Sequence, residues 1–131
     1  MTIPIPVPSD FTRPFWLGVR QGQLLVPECQ TCKTRFFTPE VLCPACGAGN
    51  WVWAESAGLG KVYSMSIVYQ AVIPDQGVPF VLAAVDLDDG WNILTHIVTP
   101  RPEDVTIGSK VQFDPTRVTD EFYLPTFALA R

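Results

Sequence analysis

The stretch that decides the fold is Cys29-Gln30-Thr31-Cys32, then ten residues, then Cys43-Pro44-Ala45-Cys46-Gly47. Each C-x-x-C turn aims two sulfurs at one point while its backbone N–H groups face them. Two such turns brought together by a hairpin form a closed tetrahedral S₄ site, a strong metal signal. Pro44 and Gly47 suit the tight turn of the second knuckle. The metal expected is zinc, bound as a structural ion, because four protein ligands leave no open position for chemistry. Metal binding would deprotonate the thiols and supply folding energy to a segment with little core of its own. Two other readings fit the same spacing: iron, which uses similar knuckles, and disulfides, which need an oxidising compartment.

Around this cluster the chain has 131 residues, 47% of them hydrophobic and 17% charged, which excludes an intrinsically disordered chain. The longest unbroken apolar run, residues 80–85, is far too short to cross a bilayer. The start, Met1-Thr2-Ile3-Pro4-Ile5-Pro6, has neither a basic segment nor an apolar one of signal-peptide type. A cytoplasmic protein without membrane contact is expected. The net charge of −4 is uneven: residues 1–61 carry +1 and residues 62–131 carry −5. Two parts are expected, residues 1–57 and 58–131, with the boundary at Ala57-Gly58-Leu59-Gly60.

Pro4, Pro6 and Pro8 fix φ and remove N–H donors, so the first residues are expected to form an extended arm outside any sheet. A short helix is predicted over residues 12–21, capped at Thr12 or Arg13, with Pro14 in its first turn and Gly22 just past its end. Phe11, Phe15, Trp16 and Val19 fall at helical spacing and give it an aromatic face. That face either packs on its own chain or docks on a partner. From Gly60 onward the pattern is strand-like, with strands predicted over 61–73, 80–87, 91–98, 110–113 and 122–129. Asp88-Asp89-Gly90 is a hairpin signal. A short helical turn is expected at Glu103-Asp104-Val105. Five short strands point to a small Greek-key barrel, of which the OB-fold is the commonest five-stranded version.

Catalytic signals are scarce. If all four cysteines hold metal, no thiol nucleophile remains. His96 is the single histidine, set in a predicted strand, where a general base, a ligand and a plain filler are all compatible with it. Asp86, Asp88 and Asp89 read as hairpin residues, with a calcium or acid–base role as the sharper alternative. No G-x-S-x-G elbow, Gly-rich phosphate loop or H-E-x-x-H occurs.

The order of features is itself diagnostic. Phe15-Trp16-Leu17-Gly18, the two knuckles and Gly60-Lys61-Val62-Tyr63-Ser64 come in turn. They are followed by Pro79-Phe80-Val81-Leu82, by Asp86-Leu87-Asp88-Asp89-Gly90, by Ile107-Gly108-Ser109-Lys110-Val111 and by Leu124-Pro125-Thr126-Phe127. Over about residues 10–129 this resembles the DUF35 family, which implies an N-terminal helix, a rubredoxin-like zinc ribbon and a C-terminal five-stranded OB-fold barrel. The resemblance also implies a non-catalytic auxiliary subunit of a thiolase-like acyl-CoA enzyme, either a thiolase or a retro-aldolase. The partner would be a thiolase-fold protein in a hetero-oligomer, carrying the catalytic groups. On that reading Cys29, Cys32, Cys43 and Cys46 bind Zn²⁺, and Phe11, Phe15, Trp16 and Val19 dock on the partner. Lys33, Arg35 and Lys61 would meet the CoA phosphates of an acyl-CoA ligand as point charges. Two positions depart from the family pattern: Lys33 follows Cys32 where glycine is usual, and Pro39-Glu40 stands where Pro-Arg is common.

The competing reading is a single-stranded nucleic-acid binder in which Trp91, Tyr63 and Tyr69 stack on bases. The acidic barrel half argues against it, because a groove that tracks phosphates needs clustered Lys and Arg. A stand-alone CoA-ester hydrolase or acyl carrier would need a nucleophile that the chain does not offer.

Overall fold

The computed structural model describes residues 5–73 and 76–130. Pro6 and Pro8 lie outside any sheet, as expected, while Pro4 falls outside the described residues. Helix α1 spans Arg13–Arg20. Thr12 sits at its N-cap without a side-chain cap bond; instead Ser9 and Thr12 bond each other's backbone N–H through their hydroxyls, both at 3.2 Å. Pro14 occupies the first turn, where its missing N–H costs nothing. The helix ends as glycine dictates. Gly22 takes φ 80°, its N–H reaches Val19 O at 3.0 Å, and Gln23 N–H reaches Gly18 O at 2.7 Å.

Two strands that the sequence reading did not anticipate flank the cysteines: β1, Leu25–Glu28, and β2, Val52–Glu55. They pair antiparallel with Val26 opposite Ala54. Both are four residues long and β1 contains Pro27, which hides the strand signal.

The remaining chain forms a closed barrel of β3 (Leu59–Val68), β4 (Phe80–Leu87), β5 (Trp91–Val98), β6 (Lys110–Phe113) and β9 (Phe127–Leu129). The order around the barrel is β3-β4-β5-β9-β6, with β5 and β9 parallel and every other pair antiparallel. This is the five-stranded OB-fold barrel. Two strand bounds differ from expectation. Strand β3 stops at Val68, because its neighbour β4 begins at Phe80 opposite that residue and offers no ladder beyond it. The predicted strand over 122–129 is broken at Pro125. Ahead of it β8 (Tyr123–Leu124) folds onto β7 (Thr116–Arg117), and only β9 enters the barrel. The helical turn before β6 is a 3₁₀ turn at Pro102–Asp104. No helix among the described residues is long and apolar enough to cross a membrane.

Helix, ribbon and barrel share one core. Phe15, Val19, Leu24 and Val26 join Val62, Val81, Val85, Ile93, Ile97, Val111 and Phe127 in a single buried cluster. Of the two readings of the aromatic face, packing on its own chain holds for Phe15 and Val19, which corrects their assignment to a docking surface. Phe15 and Val19 are 3% and 0% exposed. The Phe15 ring sits 5.1 Å from Phe37, which in turn lies 5.7 Å from Trp91 of the barrel. Burying such a side chain is worth about 1.5–3 kcal/mol relative to leaving it in water. Trp16 is half-buried with its ring 5.1 Å from Phe122, and only Phe11 of the four stays exposed.

Gly60 shows how closely the barrel is wound. A Cβ placed there would lie 2.4 Å from Asp86 O on the adjacent strand. The contact is with backbone, so it cannot be relieved by a rotamer change. Gly60→Ala is expected to destabilise the chain by about 3 kcal/mol or more, read as a lowered urea midpoint. A midpoint equal to that of the parent chain would contradict the close approach.

Candidate metal centre and the ribbon–barrel joint

Local turns build the cysteine site. In the first knuckle Lys33 N–H bonds Cys29 O at 3.0 Å, and in the second Gly47 N–H bonds Cys43 O at 2.8 Å. The residue closing each turn takes a left-handed conformation, φ 64° at Lys33 and φ 79° at Gly47. Glycine does this freely, whereas lysine pays about 1–2 kcal/mol for it. The departure at Lys33 is therefore accommodated in the geometry of the turn. Cys32 N–H points at Cys29 Sγ from 3.5 Å, the N–H-to-sulfur contact that a thiolate favours.

The four sulfurs converge. Cys29 and Cys46 Sγ are 3.6 Å apart, Cys32 and Cys43 Sγ are 3.7 Å apart, and all four lie within 4.8 Å of one another. Sulfurs tetrahedrally placed about 2.3 Å from one zinc ion stand about 3.8 Å from each other. Disulfide sulfurs would be about 2.05 Å apart, so these are four free cysteines and the disulfide reading fails. Cys29 and Cys43 are buried, whereas Cys32 and Cys46 open to the surface.

Electrostatics explains why the set needs a cation. The Thr34 hydroxyl and backbone N–H bring the Cys32 thiol down to about 6. Cys46 goes the other way. The Ala48 N–H favours its thiolate, but the neighbouring Cys29, Cys32 and Cys43 sulfurs together with burial push it up to about 12. The pocket thus accepts negative charge at one sulfur and resists it at another. A bound dication removes that conflict, and the soft, closed, four-thiolate donor set matches zinc.

Around the metal the ribbon has only a small core: Cys29, Phe36 and Cys43 are buried, with Ala48 and Trp51 packed against them. Polar bonds tie the knuckle loops down. Trp51 Nε1 donates to Glu40 O at 2.7 Å and Thr31 Oγ1 donates to Asn50 Oδ1 at 3.2 Å. Of the four large apolar residues between the knuckles, Phe36 is buried while Val41 and Leu42 are exposed, a pair that the sequence alone does not separate from Phe36 and Phe37.

The expected CoA contacts separate. Arg35 is not a free point charge: its guanidinium donates to Glu28 Oε2 at 2.9 Å and to Asp89 Oδ2 at 2.8 Å, with the side chain 20% exposed. That pairing holds the Glu28 carboxyl below its usual range. Lys33 and Lys61 are exposed; Lys33 Nζ reaches Gln30 Oε1 at 3.5 Å, and Lys61 stands opposite Asp86 on the neighbouring strand.

Asp89 emerges as the joint between ribbon and barrel. Besides Arg35, it accepts Ala57 N–H at 3.1 Å and Trp91 Nε1 at 3.0 Å. Trp91 is buried, so it is not available to stack on a base, while Tyr63 and Tyr69 remain exposed. The sequence offers Asp89 as a turn residue or as part of a calcium or acid–base cluster, not as a joint between ribbon and barrel. Its partner Arg35 lies 54 positions away, beyond the reach of any local pattern. His96 is half-buried, and its ring stacks on Phe80 at 4.6 Å.

Comparison with known proteins agrees with this architecture. The family model for the ChsH2 rubredoxin-like zinc ribbon domain matches residues 16–52, and that for the ChsH2 C-terminal OB-fold domain matches residues 53–114. The chain is 34% identical over 114 residues to a protein of Thermomonospora curvata described as a probable enoyl-CoA hydratase alpha subunit. That match covers 86% of this chain and 36% of the relative, so the chain spans about a third of that relative's length. It is 32% identical over 100 residues to a DUF35 domain-containing scaffold protein of Methanocaldococcus jannaschii, covering 74% of this chain and 71% of the relative. Among solved structures it resembles a chain of one described as the Ltp2-ChsH2(DUF35) aldolase, with TM-score 0.86 and 31% identity over 96% of this chain and 99% of that one.

The metal assignment has a direct check. Purified chain should contain one zinc per molecule, and a chelator strong enough to strip it should lower the melting temperature. Cobalt substitution should give the visible bands of a tetrahedral thiolate site. A metal-free chain with unchanged melting would contradict a structural role.

Proposed function

Because the chain belongs to the DUF35 family of zinc-ribbon and OB-fold proteins, we propose that it is a non-catalytic subunit of a thiolase-like acyl-CoA enzyme complex. The observation that carries this is the likeness, over nearly the full length of both chains, to a chain of an aldolase named for two components. The chemistry of the chain supports it, since its four thiols converge on one metal site and have no capacity left as nucleophiles. The catalytic groups then sit on a thiolase-fold partner that carries out either thiolysis or retro-aldol cleavage of an acyl-CoA, and the complex resides in the cytoplasm, where thiols stay reduced.

In this reading residues 1–57 dock and hold zinc, and residues 58–131 form the barrel. The docking patch is smaller than the whole aromatic face and differs in part from it. Phe11 and the exposed edge of Trp16 remain, Phe15 and Val19 drop out, and Leu17, 47% exposed on α1, joins them. Lys33 and Lys61 serve the CoA phosphates, and Arg35 instead clamps Glu28 to Asp89.

Affinity purification of the full chain from its own cells, followed by identification of retained proteins, tests the reading. A thiolase-fold protein in stoichiometric amount is expected, with thioester turnover that falls when this chain is removed. Leu17→Asp should reduce the retained partner without changing the melting temperature. A monomeric chain, or a thiolase-fold protein fully active without it, would sink the proposal.

A further inference from the structure

A cleft of about 300 Å³ opens on the outer side of the barrel, and it shares no residue with the metal centre or the lysines. Its walls include Phe80, His96 and Val98 from β4 and β5, Thr116 of β7, Leu124 of β8, and Thr126 in the link from β8 to β9. The outer face of an antiparallel barrel strand is ordinarily polar. Here Phe80, Leu82 and Ala84 point outward from β4, while Val81, Ala83 and Val85 fill the core, so the strand is apolar on both faces. The cleft is where part of that outward face becomes concave.

Three features narrow what fits. Most of the described lining residues are apolar, and none of them is Asp, Glu, Lys or Arg, which suits an uncharged ligand. The volume is at the low end for small-molecule sites and too small for a peptide helix. The polar groups are few and placed at separate walls. The His96 imidazole, stacked on Phe80, has no hydrogen-bond partner among the described residues. Burial lowers its basicity, so at neutral pH it offers one N–H donor and one nitrogen acceptor. Thr116 and Thr126 hydroxyls lie 2.6 Å apart, and Thr126 donates to Asp114 O at 2.6 Å, which leaves Thr116 with free lone pairs.

We infer that this cleft binds a neutral, ring-sized apolar group carrying one oxygen, with the ring against Phe80, Val98 and Leu124 and the oxygen at His96. The inference stands on the cleft alone and does not require the acyl-CoA reading. A free cyclic alcohol or ketone and the cyclic acyl end of a thioester share this chemistry.

His96 is the single histidine of the chain, so its imidazole signals in a ¹⁵N-labelled, zinc-loaded sample are unambiguous. Titration with cyclohexanol or with cyclohexanecarbonyl-CoA should shift those signals saturably, and each should displace the neutral fluorophore N-phenyl-1-naphthylamine. If the thioester acts at lower concentration than the alcohol, the acyl end is the occupant; the reverse order identifies a free ring compound. Val98→Trp, at a position 52% exposed and therefore tolerant, should fill the cleft and weaken fluorophore binding at least tenfold. Leu94→Ser, on the same outer face but outside the cleft, should leave it unchanged. Unmoved His96 signals with both probes, or fluorophore binding lost in Leu94→Ser and kept in Val98→Trp, would overturn the assignment.

Discussion

Four sulfurs held within 4.8 Å of one another are the constraint on which the ribbon depends. Without a cation the cluster is caught between burial, which disfavours thiolates, and local N–H groups, which favour them. The ribbon cannot avoid that tension by other packing, because its own buried core is largely the cysteines themselves with Phe36. Zinc converts the conflict into folding energy. The knuckles then fix the strand pair β1–β2, and the bridge from Glu28 to Arg35 sets the position of the arginine.

From Arg35 the constraint passes to the barrel. Its guanidinium is shared between a ribbon carboxylate and Asp89, which also holds the Trp91 indole and the Ala57 amide. Removing one partner of a part-buried charge pair leaves the other uncompensated, so the joint specifies a geometry more than it adds raw stability. The aromatic layer of Phe15, Phe37, Trp53 and Trp91 supplies the apolar counterpart of the same joint. Helix, ribbon and barrel are therefore held as one body, able to present a fixed surface to a larger partner.

Much of this was legible in the sequence. The knuckle spacing located the metal ligands because C-x-x-C geometry is local, and Gly22 and Asp89-Gly90 located a helix end and a hairpin for the same reason. What stayed hidden depends on contacts between distant segments. Arg35 looked like a free cation until Asp89 was placed beside it. Phe15 and Val19 looked available until the barrel and ribbon closed over them. Strands β1 and β2 are too short, and β8 and β9 too abruptly divided by Pro125, for an alternation pattern to declare them.

Hydrogen exchange of the zinc-loaded and metal-stripped chain tests most directly whether the metal organises the rest. The account predicts that stripping removes protection across residues 29–51 and weakens it at the Asp88-Asp89-Gly90 hairpin, while the central pairs of β4 and β5 stay protected. Unchanged protection over residues 29–51 after complete metal removal would contradict it.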